Sequence, residues 1–429
     1  MNVRRRSSAA ALAAIAVIGA AAAPAVAADP SPSTSSSAPS GKSGGTDGLY
    51  GSADPRYDGV WRQSLALLAQ DTAGVIPSSS AVKWLTDQQC DNGAFAPFRA
   101  DPAKACDAKT MVDTNSTAAA VQALWAVGGH GDAVEEALGW LKSVQNADGG
   151  WGYTPGSPSE ANSTSVVIGA LAATETDPGT VKKGGKSPYD ALLAAALPCA
   201  GDGGAFGYPD QDGKPVANAD ATAAGVLGAL GKGLVAEAGE KTADATCTAS
   251  DQPTREQAAA NGAAYLAGAL AKDGHLTSAL GGSAEQPDYG NTADAVVALA
   301  AQGGKDKAAK PLAWLEKNAV KWAGESGPAA YAQLILAAHA TGTDPRDFGG
   351  TDLVAALNAT GPAPQGVSAE DSATASDEDG KGQKDQKDQK DQNEDGDSGF
   401  GVWWFVGVCL VFGIGIGFLL SGRTKKQQP

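Results

Sequence analysis

The chain has 429 residues and a formal charge of −16, with 42% hydrophobic and only 6% aromatic residues. That acidity, with a pI near 4.6, excludes a nucleic-acid partner, which needs basic patches to displace counterions from phosphates. The length would ordinarily mean two or three domains, but a closed repeat ring holds this many residues in one unit, and one domain with tails is the organisation expected here.

Arg4, Arg5 and Arg6 precede an apolar run from about Ala9 to Ala23, and Ala25-Val26-Ala27 or Val26-Ala27-Ala28 offers a small-residue cleavage site. Residues 1–28 therefore read as a secretory signal peptide. The apolar residues that usually follow a twin-arginine pair are absent. Residues 29–56, rich in Ser, Pro, Gly and Thr, read as a flexible leader with too little apolar surface to repay ordering.

From residue 57 to 360 two kinds of helix alternate. One carries a Trp-Leu-Gln frame, near Ser78 to Gln89, Asp132 to Gln145, Pro188 to Leu197, Arg255 to Ala271, Ala308 to Lys321 and Thr351 to Thr360. The other opens on small polar residues and becomes apolar on every side: NSTAAAVQALWAV from Asn115, NSTSVVIGALAA from Asn162, NADATAAGVLGAL from Asn218 and NTADAVVALAA from Asn291. Tyr57 to Ala69 and Pro328 to Thr341 are its first and last members. Helices apolar all round are buried all round, so this set forms an inner ring of six and the first set an outer ring of six.

The outer helices end in a repeated turn. Trp140, Leu141, Gln145, Gly149 and Trp151 are matched by Trp84, Leu85, Gln89, Gly93 and Phe95, about 56 residues earlier, the length of a helix pair with its loops. Gln145 is placed to reach the opened end of its own helix, while the Gly-x-Trp turn drops a large ring beside the next helix. Gly204-Ala205-Phe206 keeps the turn without the glutamine, Tyr265, Leu266, Leu270, Gly274 and Leu276 keep the frame in apolar form, and Trp314-Leu315 begins a fifth copy. This spacing resembles the QW motif, the prenyltransferase and squalene oxidase repeat of the terpenoid cyclase-like α/α toroids. The resemblance implies an all-α toroid. It does not fix an activity, because such toroids include cyclases, protein prenyltransferases, complement thioester domains and cobalamin carriers.

Residues 361–399, including QKDQKDQKDQNEDGDSG, have charge without apolar periodicity and read as a solvated stalk, about 35 Å in root-mean-square span as a coil. Residues 400–421 are apolar and uncharged, with Trp403, Trp404 and Phe405 at one end and the basic tail 422–429 at the other. They read as a transmembrane helix with its N-terminus outside, placing the toroid on the cell surface and the C-terminus in the cytoplasm. Gly413 and Gly417 form a GxxxG pair that either serves helix pairing or is ordinary for a membrane span.

Cys90, Cys106, Cys199 and Cys247 lie in the exported part and Cys409 in the apolar segment. An even number in an oxidising compartment favours disulfides, and of the three pairings we expect Cys90 with Cys106 and Cys199 with Cys247. His130, His275 and His339 make no ligand-spaced cluster with them, so neither zinc nor any other cofactor is expected. Asp210-Gln211-Asp212-Gly213 reads as a turn, with calcium as the competing use.

A squalene-type cyclase would need a buried Asp-x-Asp-Asp, which this chain lacks, as it lacks Asp-Asp-x-x-Asp, a thioester context and His-Glu-x-x-His. What remains is the polar start of the inner helices: Asp113, Thr114, Asn115 and Thr117; Asn162 and Thr164; Asn218 and Asp220; Asn291, Thr292 and Asp294. These residues cap helices, or they ring the mouth of the toroid as a ligand site, or both. The run VDTNSTAAAVQALWA is also similar to inner helices of transcobalamin and intrinsic factor. On sequence alone the preferred reading is a non-catalytic surface protein that captures a medium-sized ligand, such as a corrinoid, in the lumen and passes it to a transporter in the membrane. A cyclase or prenyltransferase-like enzyme acting on a membrane isoprenoid, and an envelope protein that binds another protein, are the alternatives. A carboxyl with a strongly raised pKa in the lumen would favour the enzyme.

Overall fold

The structure, a computed structural model, describes residues 46–367 apart from 211, 243–245 and 279–285. The expected signal peptide, most of the leader and stalk, the apolar segment and the basic tail lie outside the described residues. Among the described helices none is long and apolar enough to cross a membrane.

The helices are α1 (Gly59–Thr72), α2 (Ser79–Asp87), α3 (Thr114–Val127), α4 (Gly131–Ser143), α5 (Ala161–Ala173), α6 (Pro188–Ala194), the single irregular turn α7 (Cys199–Asp202), α8 (Ala219–Ala229), α9 (Arg255–Leu270), α10 (Tyr289–Gly303), α11 (Lys305–Ser326), α12 (Pro328–Thr341) and α13 (Leu353–Asn358). Helices α1, α3, α5, α8, α10 and α12 each pack on the next, and α12 returns to α1, closing the inner ring. The inner helices are apolar because they have no solvent face: in α5 every residue from Ser163 to Leu171 is buried. The outer helices α2, α4, α6, α9, α11 and α13 keep one apolar stripe, as where α4 buries Val134, Ala137, Leu138, Trp140 and Leu141 at helical spacing.

The repeated turn is held by its glycine and its glutamine. Gly149 has φ 91°, and a Cβ there would lie 2.3 Å from the Ser187 carbonyl oxygen, so only glycine lets the turn lie on the start of α6. Gln145 does not reach back to its own helix end, as the sequence suggested. Its Nε2 donates to the Gly149 carbonyl at 2.7 Å and the Val181 carbonyl at 3.4 Å, and Gln89 likewise donates to Gly93 and to Ala133 of α4. The free carbonyl of Leu141 is taken instead by the Trp151 indole, Nε1 to O 2.7 Å.

The leader expected over residues 29–56 ends earlier than that. Asp47-Gly48-Leu49-Tyr50 is a further copy of the turn, with Gly48 at φ 99° against Ser80, and with Tyr50 fully buried. The Tyr50 amide donates to Gln63 Oε1 (2.9 Å), and its hydroxyl accepts from Gln70 and donates to the Pro362 carbonyl. The stalk expected from 361 likewise begins later, because β6 (Gly366–Val367) pairs antiparallel with β1 (Val75–Ile76) just beyond the end of α1. Both expected disulfides are present, Cys90 to Cys106 and Cys199 to Cys247.

After α8 the chain does not return directly to the outer ring. Residues 231–239 form a strap across the C-terminal ends of the inner helices. The Leu234 amide donates to Gln122 Oε1 of α3 at 2.8 Å, while Gln122 Nε2 donates to the Val166 carbonyl of α5 at 3.2 Å. Gly233 lies so close to Gly169 that a Cβ on Gly169 would come within 2.6 Å of its Cα. The Gly239 amide then bonds the Ala300 carbonyl of α10 (2.9 Å), and Glu237 meets His339 of α12 at 2.9 Å. The strap thus lays the protein's own backbone across the C-terminal halves of the inner helices.

Candidate functional site at the N-terminal mouth

Four inner helices begin in the same way. Asp113, Glu160, Asn218 and Asp288 cap α3, α5, α8 and α10, and their side chains accept from Ser116 N (2.6 Å), Ser163 N (2.8 Å), Ala221 N (2.8 Å) and Asn291 N (3.1 Å). Each is followed four residues later by a threonine. The hydroxyls of Thr117, Thr164, Thr222 and Thr292 accept from the amides of Phe95, Trp151, Phe206 and Leu276 at 2.9 to 3.1 Å, so each helix start is tied to its own turn. Thr114 ties α3 to the next turn by donating to the Gly152 carbonyl at 2.7 Å. These threonines hold the scaffold and are not available to a ligand.

Asp113 and Asn218, both among the polar starts read from the sequence, cap α3 and α8, whereas the caps of α5 and α10, Glu160 and Asp288, stand two and three residues before Asn162 and Asn291, the first residues read there. The displaced residues fall in the first turn. Asn162 of α5 donates to Asp220 Oδ2 of α8 at 2.5 Å, and Gln333 of α12 donates to both oxygens of Asp294 of α10, at 3.2 and 3.3 Å. Asn291 instead turns back onto the Asp288 cap at 2.8 Å. Asn115 Oδ1, Asn162 Oδ1 and Asp113 Oδ2 are buried with no hydrogen-bond partner. An orphaned acceptor in a buried site is costly, and here three lie at the starts of two neighbouring helices.

The electrostatics follow from burial without compensation. Desolvation pushes Asp113 up to about 6 and Asp220 and Asp294 up to about 7. Asp294 is raised further by the charge of Asp220, while Asp220 is partly relieved by the Asn162 bond and then raised again by Glu160 and Asp288. Glu160 and Asp288 are themselves raised by burial. Tyr208, at the foot of the hairpin formed by β2 (Gly207–Pro209) and β3 (Pro215–Ala217), is raised by desolvation and by the charges of Glu160 and Asp220. No lysine or arginine among the described residues lowers any of these five carboxylates. At the start of α1, by contrast, Asp58 has Arg62 at 2.8 Å. Among the described residues no three His, Cys, Asp or Glu side chains come together as metal ligands. The Asp210 carboxylate of the Asp210 to Gly213 turn accepts the amides of Asp212 and Lys214.

An aromatic wall stands beside Asp294. Tyr289, at the start of α10, lies 5.2 Å from the Trp314 ring and 5.4 Å from Trp322, and His275 lies 4.3 Å from Trp314. Gly290 lies between this wall and α12: a Cβ there would be in ordinary contact with the Gln333 amide at 3.4 Å and with Trp322 at 3.8 Å. Carboxyls that keep protons near neutrality beside electron-rich ring faces can give up a proton and stabilise a cation. Glu160, Asp288, Gln333, Tyr289 and Trp322 were not read from the sequence. The frame of an acceptor four residues before a threonine, present in four copies, is the signal that would have found the first two.

Residues 58–191 match the prenyltransferase alpha-alpha toroid domain. Two relatives are both named drimenyl diphosphate synthase. The one from Streptomyces showdoensis is 38% identical over 109 residues, covering 23% of this chain and 19% of its own. The one from Streptantibioticus cattleyicolor is 37% identical over 83 residues, covering 19% and 14%. The match thus spans about a fifth of the first relative's length and less of the second's. Among solved structures, a protein from Actinoplanes aligns with TM-score 0.43 and 16% identity over 69% of this chain and 93% of that one. The type II terpene cyclase MstE from Scytonema aligns with TM-score 0.39 and 15% identity over 62% and 72%. The closed double ring with its repeated turn is the α/α toroid architecture, and residues 58–191 are similar to the prenyltransferase alpha-alpha toroid domain.

Proposed function

We propose that the toroid is an enzyme of the terpenoid cyclase class that protonates an alkene of a linear isoprenoid held across the N-terminal mouth. The observation that carries this reading is the set of carboxyls near the inner-helix starts, Asp113 raised to about 6 and Asp220 and Asp294, on the adjacent α8 and α10, raised to about 7, where a share of them keeps its proton at neutral pH with no cation among the described residues to offset them. A contiguous Asp-x-Asp-Asp is not needed where adjacent inner helices bring separate carboxyls to one rim. The carboxyl O–H breaks as the alkene π pair forms a C–H bond. The carbocation left behind sits near ionised neighbours and the stacked aromatic wall of Trp314, Tyr289 and Trp322, whose fields favour it more than the neutral substrate. Loss of a proton from an adjacent carbon ends the sequence without change of mass. The names of the two relatives agree with an isoprenoid substrate.

Capture of a corrinoid-sized ligand deep in the lumen, the reading preferred on sequence, fits less well, since the strap lies across the C-terminal halves of the inner helices. We keep the single-pass anchor at residues 400–421, the extracellular placement and a transporter partner as proposals resting on composition alone. Incubation of residues 46–367 with farnesyl or geranylgeranyl diphosphate should give a cyclic isomer of unchanged mass. Asp294→Asn should lower the rate by more than about 100-fold, the scale expected when an essential proton donor is lost. No isomer, with cobalamin bound in a titration, would restore the carrier reading.

A further inference from the structure

We propose that the transferable proton at the mouth resides on Asp294, with Asp220 as its ionised partner and Gln333 and Asn162 as the positioning residues that set this order. The inference rests on the enzyme reading for its use, but the placement of the proton stands on geometry. Asp220 and Asp294 lie at the starts of adjacent inner helices, and each is held by one amide from the helix on its far side. The amides are not equivalent. Asn162 Nδ2 meets a single Asp220 oxygen at 2.5 Å, a short bond that favours the ionised form. Gln333 Nε2 is shared between the two oxygens of Asp294 at 3.2 and 3.3 Å, a divided and weaker bond that stabilises an anion less.

The surroundings act in the same direction. Asp294 faces Asp220 across the α8 and α10 contact and Asp288 at the start of its own helix, and from α12 it meets the neutral Gln333. Asp220 faces Glu160, Asp288 and the Tyr208 hydroxyl, with Asn162 as its donor. Two interacting acids that share a site ionise in turn, and the one with the better anion partner ionises first. That is Asp220, and its charge then holds the proton on Asp294. Gln333 has a second neighbour that fits this use: a Cβ on Gly290 would sit 3.4 Å from the Gln333 amide and 3.8 Å from Trp322, which places the aromatic wall beside the amide that holds Asp294. An alkene protonated there becomes a cation next to ring faces and to ionised Asp220.

The test is carboxyl titration by 13C NMR of Asp-labelled protein, using residues 46–367, whose ring closes through α12 on α1 and through β1 on β6. The two resonances are assigned by their loss in Asp294→Asn and Asp220→Asn. The expected result is a midpoint for Asp294 above that of Asp220, a fall of the Asp294 midpoint by at least one pH unit in Asp220→Asn, and an inverted order in Asn162→Leu, which removes the donor to Asp220. A higher midpoint on Asp220, or an Asp294 midpoint unmoved by Asp220→Asn, overturns the assignment. Should either aspartate variant fail to fold, Asn162→Leu and Gln333→Leu decide alone: the first must raise Asp220 and the second must raise Asp294 further. The expected titration order without turnover of any isoprenoid would remove the proposed reaction while leaving the proton where it is assigned.

Discussion

At the strap end of the ring, charged groups meet opposite charges. Lys241 lies 2.6 Å from Asp306, beside an open cavity of about 440 Å³ where the Glu237 carboxylate also lies 2.9 Å from the His339 ring. At the mouth, five carboxylates stand on four neighbouring helix starts with amides and hydroxyls around them and no basic partner among the described residues. The same chain pairs Lys241 with Asp306 at the strap and leaves these five carboxylates without a basic partner among the described residues. Uncompensated burial lowers stability, and its persistence at one end only is what a functional site predicts.

The comparison assumes that the mouth is rigid and the strap merely seated, and each half can be broken separately. Replacing Trp151 with Ala should have the largest effect, about 3 to 5 kcal/mol, because a fully buried ring and its bond to the Leu141 carbonyl are lost together. A denaturation midpoint equal to the parent's would mean that the turn does not set the mouth. At the other end, Gln122→Leu leaves the Leu234 amide without its acceptor and should cost about 1 to 3 kcal/mol. Hydrogen exchange should show the loss locally, with Leu234 and its neighbours deprotected while Phe95 and Trp151 stay protected. Deprotection spreading equally to both ends would show that strap and mouth are one cooperative unit.

How much of this was legible in the sequence depends on periodicity. Two helix types, six of each, could be read because a buried inner helix must be apolar all round and an outer one cannot be, and the turns at Gly93 and Gly149 repeat a backbone requirement that only glycine meets. The copy at Gly48 escaped because Ser, Pro and Gly around it resemble a leader, and nothing local shows that Tyr50 will find Gln70 and Pro362 across the ring closure. Two of the four caps, Glu160 and Asp288, were missed by two or three residues because Asn, Asp, Ser and Thr all cap well, and only the bond from each turn amide to its threonine hydroxyl selects among them. The strap was illegible because its anchor, Gln122, is one polar residue in an apolar helix whose partner lies more than 100 residues away. Neighbouring of Asp220 with Asn162, and of Asp294 with Gln333, is likewise a property of ring closure.

The smallest predicted effect has an unusual sign. A carboxyl raised by burial binds a proton in the folded state over a range where the unfolded chain has already released it. For Asp294 that range runs from about 3.8 to about 7. Across it the folded state holds more protons, so stability must fall as pH rises, and the cost is complete above the folded value. Asp294→Asn removes the group that bears this cost and keeps its shape. At pH 8 the variant should therefore be more stable than the parent, by about 1 to 2 kcal/mol after allowance for the parent's residual hydration and its Gln333 bond. At about pH 2.5, well below the unfolded value of 3.8, the parent carboxyl is protonated and uncharged in both states and the gain should vanish. Glu237→Gln at the strap is the control: it loses an exposed pair with His339 and should change stability by no more than about 0.5 kcal/mol at either pH. Urea denaturation of the three proteins at both pH values decides the matter. A loss of stability in Asp294→Asn at pH 8 would mean that the aspartate is favourably solvated in the fold, and the contrast between an uncompensated mouth and a compensated strap would no longer hold.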